Sequence, residues 1–150
     1  MVPEQIERET VIAAPVERVW SLLTDAEHLG RWFGDSGAEI DLRPGGVFSL
    51  TWAEHGTVRG RVVDVEPNQR FAYRWTVTGD RRQEPVDGNS TLVEFTLRAD
   101  GEGTLLKVVE TGFGALEAPT EERDYVHADH SRGWPIKLGH VAEHASRVAA

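Results

Sequence analysis

The stretch HADHSRGWPIKLGHVAEHASRVA, residues 127–149, decides the fold of this 150-residue chain. Its apolar side chains recur at intervals of four, three, four and three residues, which places them on one side of an α-helix. This stripe consists of Trp134, Leu138, Val141, Ala145 and Val148. The opposite face, predicted to face water, carries Lys137, Glu143, Ser146 and Arg147. Such a helix would be about 30 Å long. Because most of the preceding chain reads as short alternating strands, we expect a curved sheet to wrap around this one long helix.

The first part of the helix's buried face is polar. Extending the stripe towards the N terminus reaches His130 and His127. A buried face that is polar at one end and apolar at the other predicts a core that opens into a lined pocket. Pro135 lies within the stretch and removes an intrahelical donor. Either the helix starts near Trp134, behind a separate helix over 120–132, or it kinks at the proline. If it starts there, both histidines lose their predicted direction.

Length and composition limit the class of protein. The 150 residues are enough to bury a core, and we assign residues 1–150 to a single domain. The absence of cysteine excludes disulfides and thiolate chemistry. A net charge of −9 disfavours nucleic acid and anionic membrane surfaces as partners. The charged start MVPEQIERET and the lack of long apolar runs predict no signal peptide and no membrane insertion, hence a soluble, cytoplasmic protein.

The N-terminal part of the chain is predicted to form a strand and two short helices. Residues 5–12 alternate loosely as a first strand, and apolar residues at helical spacing follow Pro15. Thr24 and Glu27 form a capping-box pattern, so a second helix is expected over 25–33.

The middle of the chain is predicted to form about six consecutive antiparallel strands. Alternation slips before Val65, which indicates a β-bulge there. The polar segment 78–90 has no periodicity and is expected to be a long mobile loop. Together with the flanking helices, these strands predict an α+β fold with the sheet curled around the last helix.

Several aromatic residues lie on the strand rows predicted to face inward. Each alone is typical of an ordinary core, but together with the polar end of the helix they predict a cavity between sheet and helix. Trp32 and Phe33 precede a glycine turn and are expected either to rim the cavity entrance or to pack against the helix. The predicted ligand-contacting residues are Trp20, Trp32, Phe33, Phe48, Trp52, Arg59, Tyr73, Trp75, Phe95, Glu110, His127, Trp134 and Leu138.

A buried carboxylate is predicted at the polar end of this cavity. Glu110 alternates with apolar residues of its strand, so its side chain should point inward. The groups expected to approach it are His127, His130 and Asp124 from the helix, and Arg59 or Arg61 from the middle strands. A carboxylate–histidine pair in an apolar cavity would have shifted pKa values. It could orient a ligand, assist proton transfer or serve as a structural ion pair. Glu110, His127 and His130 are therefore candidates for proton transfer, and no residue is assigned as catalytic.

Two short motifs look like chemical signatures but lack the required context. Residues 140–144 read H-x-x-E-H, an inverted zinc-protease signature, yet no third ligand follows them. The two histidines flank the buried stripe, so we interpret them as surface residues. Residues 34–37, GDSG, resemble a protease nucleophile loop, but the chain is too short for that fold. We predict neither a metal site nor a cofactor.

The order of elements resembles that of the START-like, or birch-pollen-allergen-like, superfamily, also called SRPBCC proteins. The closest resemblance is to homologues of the activator of heat-shock protein 90 ATPase. The matching stretches are AAPVERVWSLLTDAEHLGRWFG (13–34), PGGVF (44–48), RGRVVDVEPNQRFAYRW (59–75), VVETGFGAL (108–116) and HSRGWPIKLGHV (130–141). The resemblance implies a helix-grip fold. In that fold a seven-stranded curved antiparallel sheet clasps a long C-terminal helix, two short helices follow strand 1, and a hydrophobic cavity lies between sheet and helix.

The resemblance leaves three functions open, because the family includes ligand binders, aromatase/cyclases and stimulators of a chaperone ATPase. The first, which we favour, is non-enzymatic binding of a small hydrophobic ligand, lipid-like or polycyclic aromatic and polyketide-like. The second is a polyketide cyclase or dehydratase-type enzyme that uses Glu110 with a histidine. The third is protein binding in a bacterial stress-response-like role, with a chaperone or a second copy of the chain as partner.

Overall fold

Seven antiparallel strands form one sheet in the computed structural model, which describes residues 3–148. The strands are β1 (Gln5–Ile12), β2 (Ala38–Ile40), β3 (Val47–Trp52), β4 (Gly56–Glu66), β5 (Arg70–Thr76), β6 (Ser90–Asp100) and β7 (Gly103–Thr111). The helices are α1 (Val16–Thr24), α2 (Ala26–Trp32) and α3 (Thr120–Val148), with a short 3-10 helix at Phe113–Ala115. The order across the sheet is β1-β7-β6-β5-β4-β3-β2. This is the predicted α+β helix-grip arrangement.

The long helix α3 packs its apolar stripe against the sheet, as predicted. Trp134, Leu138, Val141 and Ala145 are all buried, while the side chain of Val148 lies outside the described residues. Burial of each large apolar side chain stabilises the fold by roughly 1.5–3 kcal/mol. Among the helices of residues 3–148, none is both long and apolar enough to cross a membrane.

Pro135 lies inside α3 and does not begin it. The helix starts at Thr120 and continues to Val148, so the alternative of a start near Trp134 is wrong. Proline has no amide hydrogen, and the carbonyl of Ser131 therefore receives no bond from position 135. Because the helix is continuous, His130 keeps the inward direction that the stripe assigns to it.

The β-sheet has the predicted register irregularity and inward rows. The pairing of β4 with β5 shifts between Val62 and Asp64, which confirms the bulge expected before Val65. In β5 the rings of Phe71 and Tyr73 are fully buried. The consequence is a dense aromatic layer beneath α3.

The two short helices meet at a cap that differs by one residue from the predicted one. Asp25 caps α2, and its carboxylate accepts a hydrogen bond from the amide of Glu27 at 2.9 Å. The hydroxyl of Thr24 instead donates to the carbonyl of Trp20 at 2.7 Å within α1. The predicted capping box on Thr24 is therefore wrong, because that residue is still part of the preceding helix.

Aromatic rings fill the middle of the space between sheet and helix. Phe48 and Tyr73 lie 4.2 Å apart between ring centroids, Phe71 and Tyr73 5.6 Å, and Tyr73 and Phe95 6.4 Å. All four rings are at most 1% exposed. The expectation that Phe48, Tyr73 and Phe95 line an open cavity is therefore corrected: together with Phe71 they form the core, and the open space lies towards one end of the sheet.

Candidate functional site

A cleft of about 530 Å³ opens between the first half of α3 and one end of the sheet. Its other walls come from the ends of β3 and β5, the start of β4 and the loop that follows β5. The lining residues are Phe33, Trp52, His55, Val58, Trp75, Thr76, Val77, Gly79, Arg81, Tyr125, Asp129, His130, Gly133, Trp134 and Lys137. Five of these are the aromatic residues Phe33, Trp52, Trp75, Tyr125 and Trp134, and all of them except Tyr125 were predicted to contact a ligand.

Behind the wall of the cleft lies the buried carboxylate of Glu110. Its side chain is fully buried, which confirms the inward direction predicted from alternation along β7. Oε2 accepts hydrogen bonds from Trp75 Nε1 at 3.0 Å and from the Thr91 hydroxyl at 2.5 Å. Oε1 accepts from Trp134 Nε1 at 2.8 Å. Since buried charge requires compensation, these donors explain part of how a carboxylate is tolerated here.

His130 supplies the rest of the compensation and connects Glu110 to the cleft. Its Nδ1 lies 2.8 Å from Oε1 and 2.9 Å from Oε2 of Glu110. The imidazole also contacts the rings of Trp75 and Phe113, at 5.5 and 6.0 Å between centroids. With Nδ1 held by the carboxylate, Nε2 is the ring nitrogen that can address a molecule in the cleft.

The pKa values of this pair move apart. Burial alone would raise the pKa of Glu110, but the charge of His130 and the hydrogen bonds from His130, Thr91 and Trp134 outweigh it and hold that pKa below its ordinary value. Burial alone would lower the pKa of His130, but the charge and hydrogen bond of Glu110 outweigh it and raise that pKa. Both shifts favour an imidazolium–carboxylate ion pair.

The two indoles between Glu110 and the cleft offer carbon surface to it. Trp75 and Trp134 are stacked, with centroids 6.0 Å apart and planes inclined by 30°. Both direct their N–H groups to Glu110, so those donors are already used. Flat apolar surface is therefore what they present to a ligand.

A second cation, Lys137, borders the cleft. Its Nζ donates to the carbonyl of Phe33 at 2.9 Å and lies 5.9 Å from the ring centroid of Trp52. Burial lowers the pKa of Lys137, and the carboxylate of Asp35 offsets this shift in part. The prediction that Lys137 belongs on a water-facing side of the helix is therefore wrong, since its amine is held against the end of α2.

The loop after β5 (77–89) is confirmed as a loop and is tied to the sheet. Glu84 pairs with Arg61 at 2.5 Å and with Arg59 at 3.1 Å. The carbonyl of Arg81 accepts from the amide of Arg59 at 2.9 Å. These contacts hold the part of the loop that carries the Arg81 side chain at the cleft.

Arg59 was expected to approach Glu110, and this expectation is corrected. Along β4 the residues Val58 and Val62 face inward and are buried, so Arg59 points to the opposite face of the sheet. There it pairs with Glu84.

The other residues predicted to contact a ligand lie outside the cleft. Trp20 packs edge-on against Phe71 at 6.5 Å, and the buried Trp32 donates to the carbonyl of Leu22 at 2.6 Å. Those placed in the core are Phe48, Tyr73, Phe95 and Leu138. His127 packs on Phe113 at 4.9 Å. Glu110 itself bonds to lining residues and stands behind them.

Sequence reasoning missed several lining residues on α3. Tyr125, Asp129, Gly133 and Lys137 recur every four residues and form a row beside His130. That row mixes an aromatic, an acid, a glycine and a base, so no hydrophobic pattern identifies it. The four-residue spacing places this row along one edge of the apolar stripe, and that spacing could have predicted it.

The H-x-x-E-H motif has a different role from the one expected. His144 is buried, with 9% exposure, and its Nε2 lies 2.9 Å from Nδ1 of His28 on α2. Burial, and then the charges of His28, Arg31 and Arg147, hold the pKa of His144 below its ordinary value. The interpretation of His144 as a surface residue is wrong, whereas His140 is exposed. Within residues 3–148 no cluster of three or more potential metal ligands is found.

Comparisons with known proteins agree with this architecture. A family model described as "Activator of Hsp90 ATPase homolog 1-like protein" matches residues 13–144. No curated protein sequence matches the chain. The solved structure of MLL2253 from Mesorhizobium loti is similar over 96% of this chain and 98% of that chain, with a TM-score of 0.78 and 21% identity.

Two further solved structures are similar. NE0264 from Nitrosomonas europaea aligns over 93% of this chain and 92% of that chain, with a TM-score of 0.69 and 22% identity. CalU16 from Micromonospora echinospora aligns over 93% of this chain and 74% of that chain, with a TM-score of 0.69 and 27% identity. These likenesses show a shared fold.

Proposed function

The chain belongs to the family of Activator of Hsp90 ATPase homolog 1-like proteins, and on that premise we propose that it binds a small, largely apolar molecule in the cleft. The observation that carries the proposal is the lining itself. Five aromatic residues line an opening, and at its floor one histidine is held by a buried carboxylate.

The dimensions of the cleft support a small-molecule ligand. Its volume of about 530 Å³ lies within the range of roughly 300–1,000 Å³ that is typical of such sites. Binding sites of this class combine mostly apolar walls with a few fixed polar groups that set the ligand's orientation. Trp75 and Trp134 provide the apolar surface, and His130 provides the fixed polar group.

Glu110 supports this function indirectly. The carboxylate accepts hydrogen bonds from both indoles and from His130, so it fixes three lining side chains at once. A site held this way is preorganised, so binding a ligand loses less conformational entropy of these side chains. Glu110 is therefore a positioning residue in this proposal, and His130 is the residue that meets the ligand.

Gly133 provides a test that does not disturb the ion pair. It lines the cleft, and a Cβ built on it would meet no atom within 4 Å. Gly139 lies further along the same helix, is exposed, and is equally free of neighbours. Leucine at position 133 should occupy the cleft, whereas leucine at position 139 should project into solvent.

The probe is N-phenyl-1-naphthylamine, an uncharged apolar molecule whose fluorescence rises when it leaves water. We expect saturable binding to the wild-type protein, binding at least about tenfold weaker to Gly133→Leu, and unchanged binding to Gly139→Leu. Circular dichroism checks that both variants are folded. Absence of saturable binding, or equal affinity of the two variants, would refute the proposal.

A cyclase or dehydratase-type enzyme is a second candidate, favoured by the 2.8 Å contact between His130 and Glu110 at the cleft floor. Because the carboxylate is fully engaged and its pKa is lowered, the proton donor would be His130 through Nε2, with Glu110 keeping it charged. Incubation with a linear poly-β-ketone and mass spectrometry would reveal loss of water. An enzyme should lose that turnover in His130→Gln, while a binder shows none in either form.

A further inference from the structure

Two cationic side chains that line the cleft, His130 and Arg81, offer hydrogen-bond donors to a ligand. Nδ1 of His130 is occupied by Glu110, and in the charged imidazolium Nε2 can only donate. The hydroxyl of Thr76 is not such a donor, because it gives its hydrogen to the carbonyl of Gln83 at 2.7 Å. The indole donors are already directed at Glu110. A ligand that complements this site needs acceptors.

Arg81 is a cation that lines the cleft, and two arginines near it, Arg59 and Arg82, already form ion pairs. Arg59 pairs with Glu84 at 3.1 Å, and Arg82 pairs with Asp80 at 3.1 Å. Within the described part of the chain, the Arg81 guanidinium makes neither an ion pair nor a side-chain hydrogen bond. It therefore presents an uncompensated charge to the cleft that it lines.

Arg81 and His130 line the same cleft, and the charge of Arg81 acts on the imidazole of His130. Burial and the charge of Arg81 both act to lower the pKa of His130, against Glu110 and Asp129, which raise it. Asp129 is the acid among the described lining residues, and it is exposed, with a long 3.9 Å contact to Arg132. Near His130 the lining therefore carries the cation Arg81 and the acid Asp129, while the imidazolium itself is balanced by Glu110.

We propose that the cleft selects a flat apolar anion, an aryl carboxylate or a phenolate, whose charged oxygen lies between Nε2 of His130 and the guanidinium of Arg81. This rests on the proposed function and names the chemical class of its ligand. The anionic oxygen accepts two charge-assisted hydrogen bonds and removes the repulsion between the two cations. The ring system lies against the carbon surface of Trp75 and Trp134.

Lys137 has a lesser part in this recognition. It follows His130 by two helical turns, about 10 Å along α3, so one carboxylate does not reach both side chains. Its amine is also engaged by the carbonyl of Phe33. Lys137 therefore adds to the positive field of the cleft without making the principal contact.

The test compares two probes of nearly equal shape, 2-naphthoate and uncharged 2-naphthamide, by quenching of tryptophan fluorescence. We expect the wild-type protein to bind the carboxylate about tenfold more tightly than the amide, as a charge-assisted hydrogen bond allows. Arg81→Gln should weaken binding of the carboxylate more than binding of the amide and thereby remove that preference. Arg82→Gln, one residue away and paired outside the cleft, should keep the preference.

The outcomes separate this inference from the proposed function. If both naphthalene probes bind equally well, or if Arg81→Gln behaves like Arg82→Gln, selection of an anion is refuted and small-molecule binding stands. If neither these probes nor N-phenyl-1-naphthylamine bind in a saturable way, the function itself is refuted.

Discussion

Replacement of Glu110 by glutamine tests how the buried pair is held. The substitution keeps the shape of the side chain but removes its charge and one of its two acceptor oxygens. Four donors converge on the carboxylate: the indoles of Trp75 and Trp134, the hydroxyl of Thr91, and His130. An amide oxygen cannot accept from all of them, and the new NH₂ group faces at least one donor.

The expected cost follows from two contributions. Leaving a buried donor unsatisfied costs about 1–3 kcal/mol, and removing one partner of a buried ion pair costs about 3–5 kcal/mol. The two overlap because both include the desolvation of His130. We therefore expect the free energy of unfolding of Glu110→Gln to fall by about 3–5 kcal/mol.

Glu94→Gln is the matched control. Glu94 pairs with Arg70 at 2.6 Å, but its side chain is 29% exposed, and such partly exposed pairs contribute about 0–1 kcal/mol. Urea unfolding followed by tryptophan fluorescence measures both variants. NMR titration of His130 gives a second measurement, in which its pKa should fall in Glu110→Gln and stay unchanged in Glu94→Gln. Equal losses of stability in the two variants would contradict the ion-pair account.

Four further predictions concern stability. The pKa of His144 is lowered in the folded protein, so this histidine stabilises the fold above the unfolded pKa of about 6.5. That stability is lost as the pH falls through the folded pKa. In His144→Gln the free energy of unfolding in urea should lack this decrease at acid pH. The pKa of His130 is raised in the folded protein, so its effect on stability has the opposite pH dependence. The stabilisation is present below about pH 6.5 and is lost as the pH rises through the folded pKa. This decrease in the free energy of unfolding should be absent in His130→Gln. Asp25→Ala should lower the free energy of unfolding, measured in urea, by about 0.5–2 kcal/mol because α2 loses its N-terminal cap. An unchanged free energy of unfolding would mean that Asp25 does not cap the helix. Gly133→Ala and Gly139→Ala should each gain up to about 1 kcal/mol in thermal unfolding, and destabilisation at position 133 alone would mean that its surroundings are closed.

Local periodicity predicted the fold and the buried acid. The stripe on α3 required only the spacing of its apolar residues, and Glu110 required only alternation with its strand neighbours. The same alternation, applied to β4, places Arg59 on the far face of the sheet. Its prediction as a ligand contact failed because it was chosen for its charge and not for its position in the strand.

Other features depend on contacts that no local pattern contains. His28 and His144 are separated by 116 positions in the chain, so an H-x-x-E-H motif alone could not reveal that His144 is buried. Likewise, the number of aromatic residues cannot tell whether their rings enclose a space or fill it. Phe48 and Tyr73 fill it, and Trp75 borders the cleft, although all three alternate inward.

Pro135 has a consequence for how a bound molecule leaves. The interrupted amide ladder divides α3 into an entry segment, which carries Tyr125, Asp129 and His130, and an anchoring segment, which carries Leu138 and Val141. Unwinding that starts at Thr120 reaches the hydrogen bond missing at Pro135 before it reaches the anchoring segment. Partial unwinding of the entry segment would therefore break the contact of His130 with Glu110 while Leu138 and Val141 stay packed against the sheet.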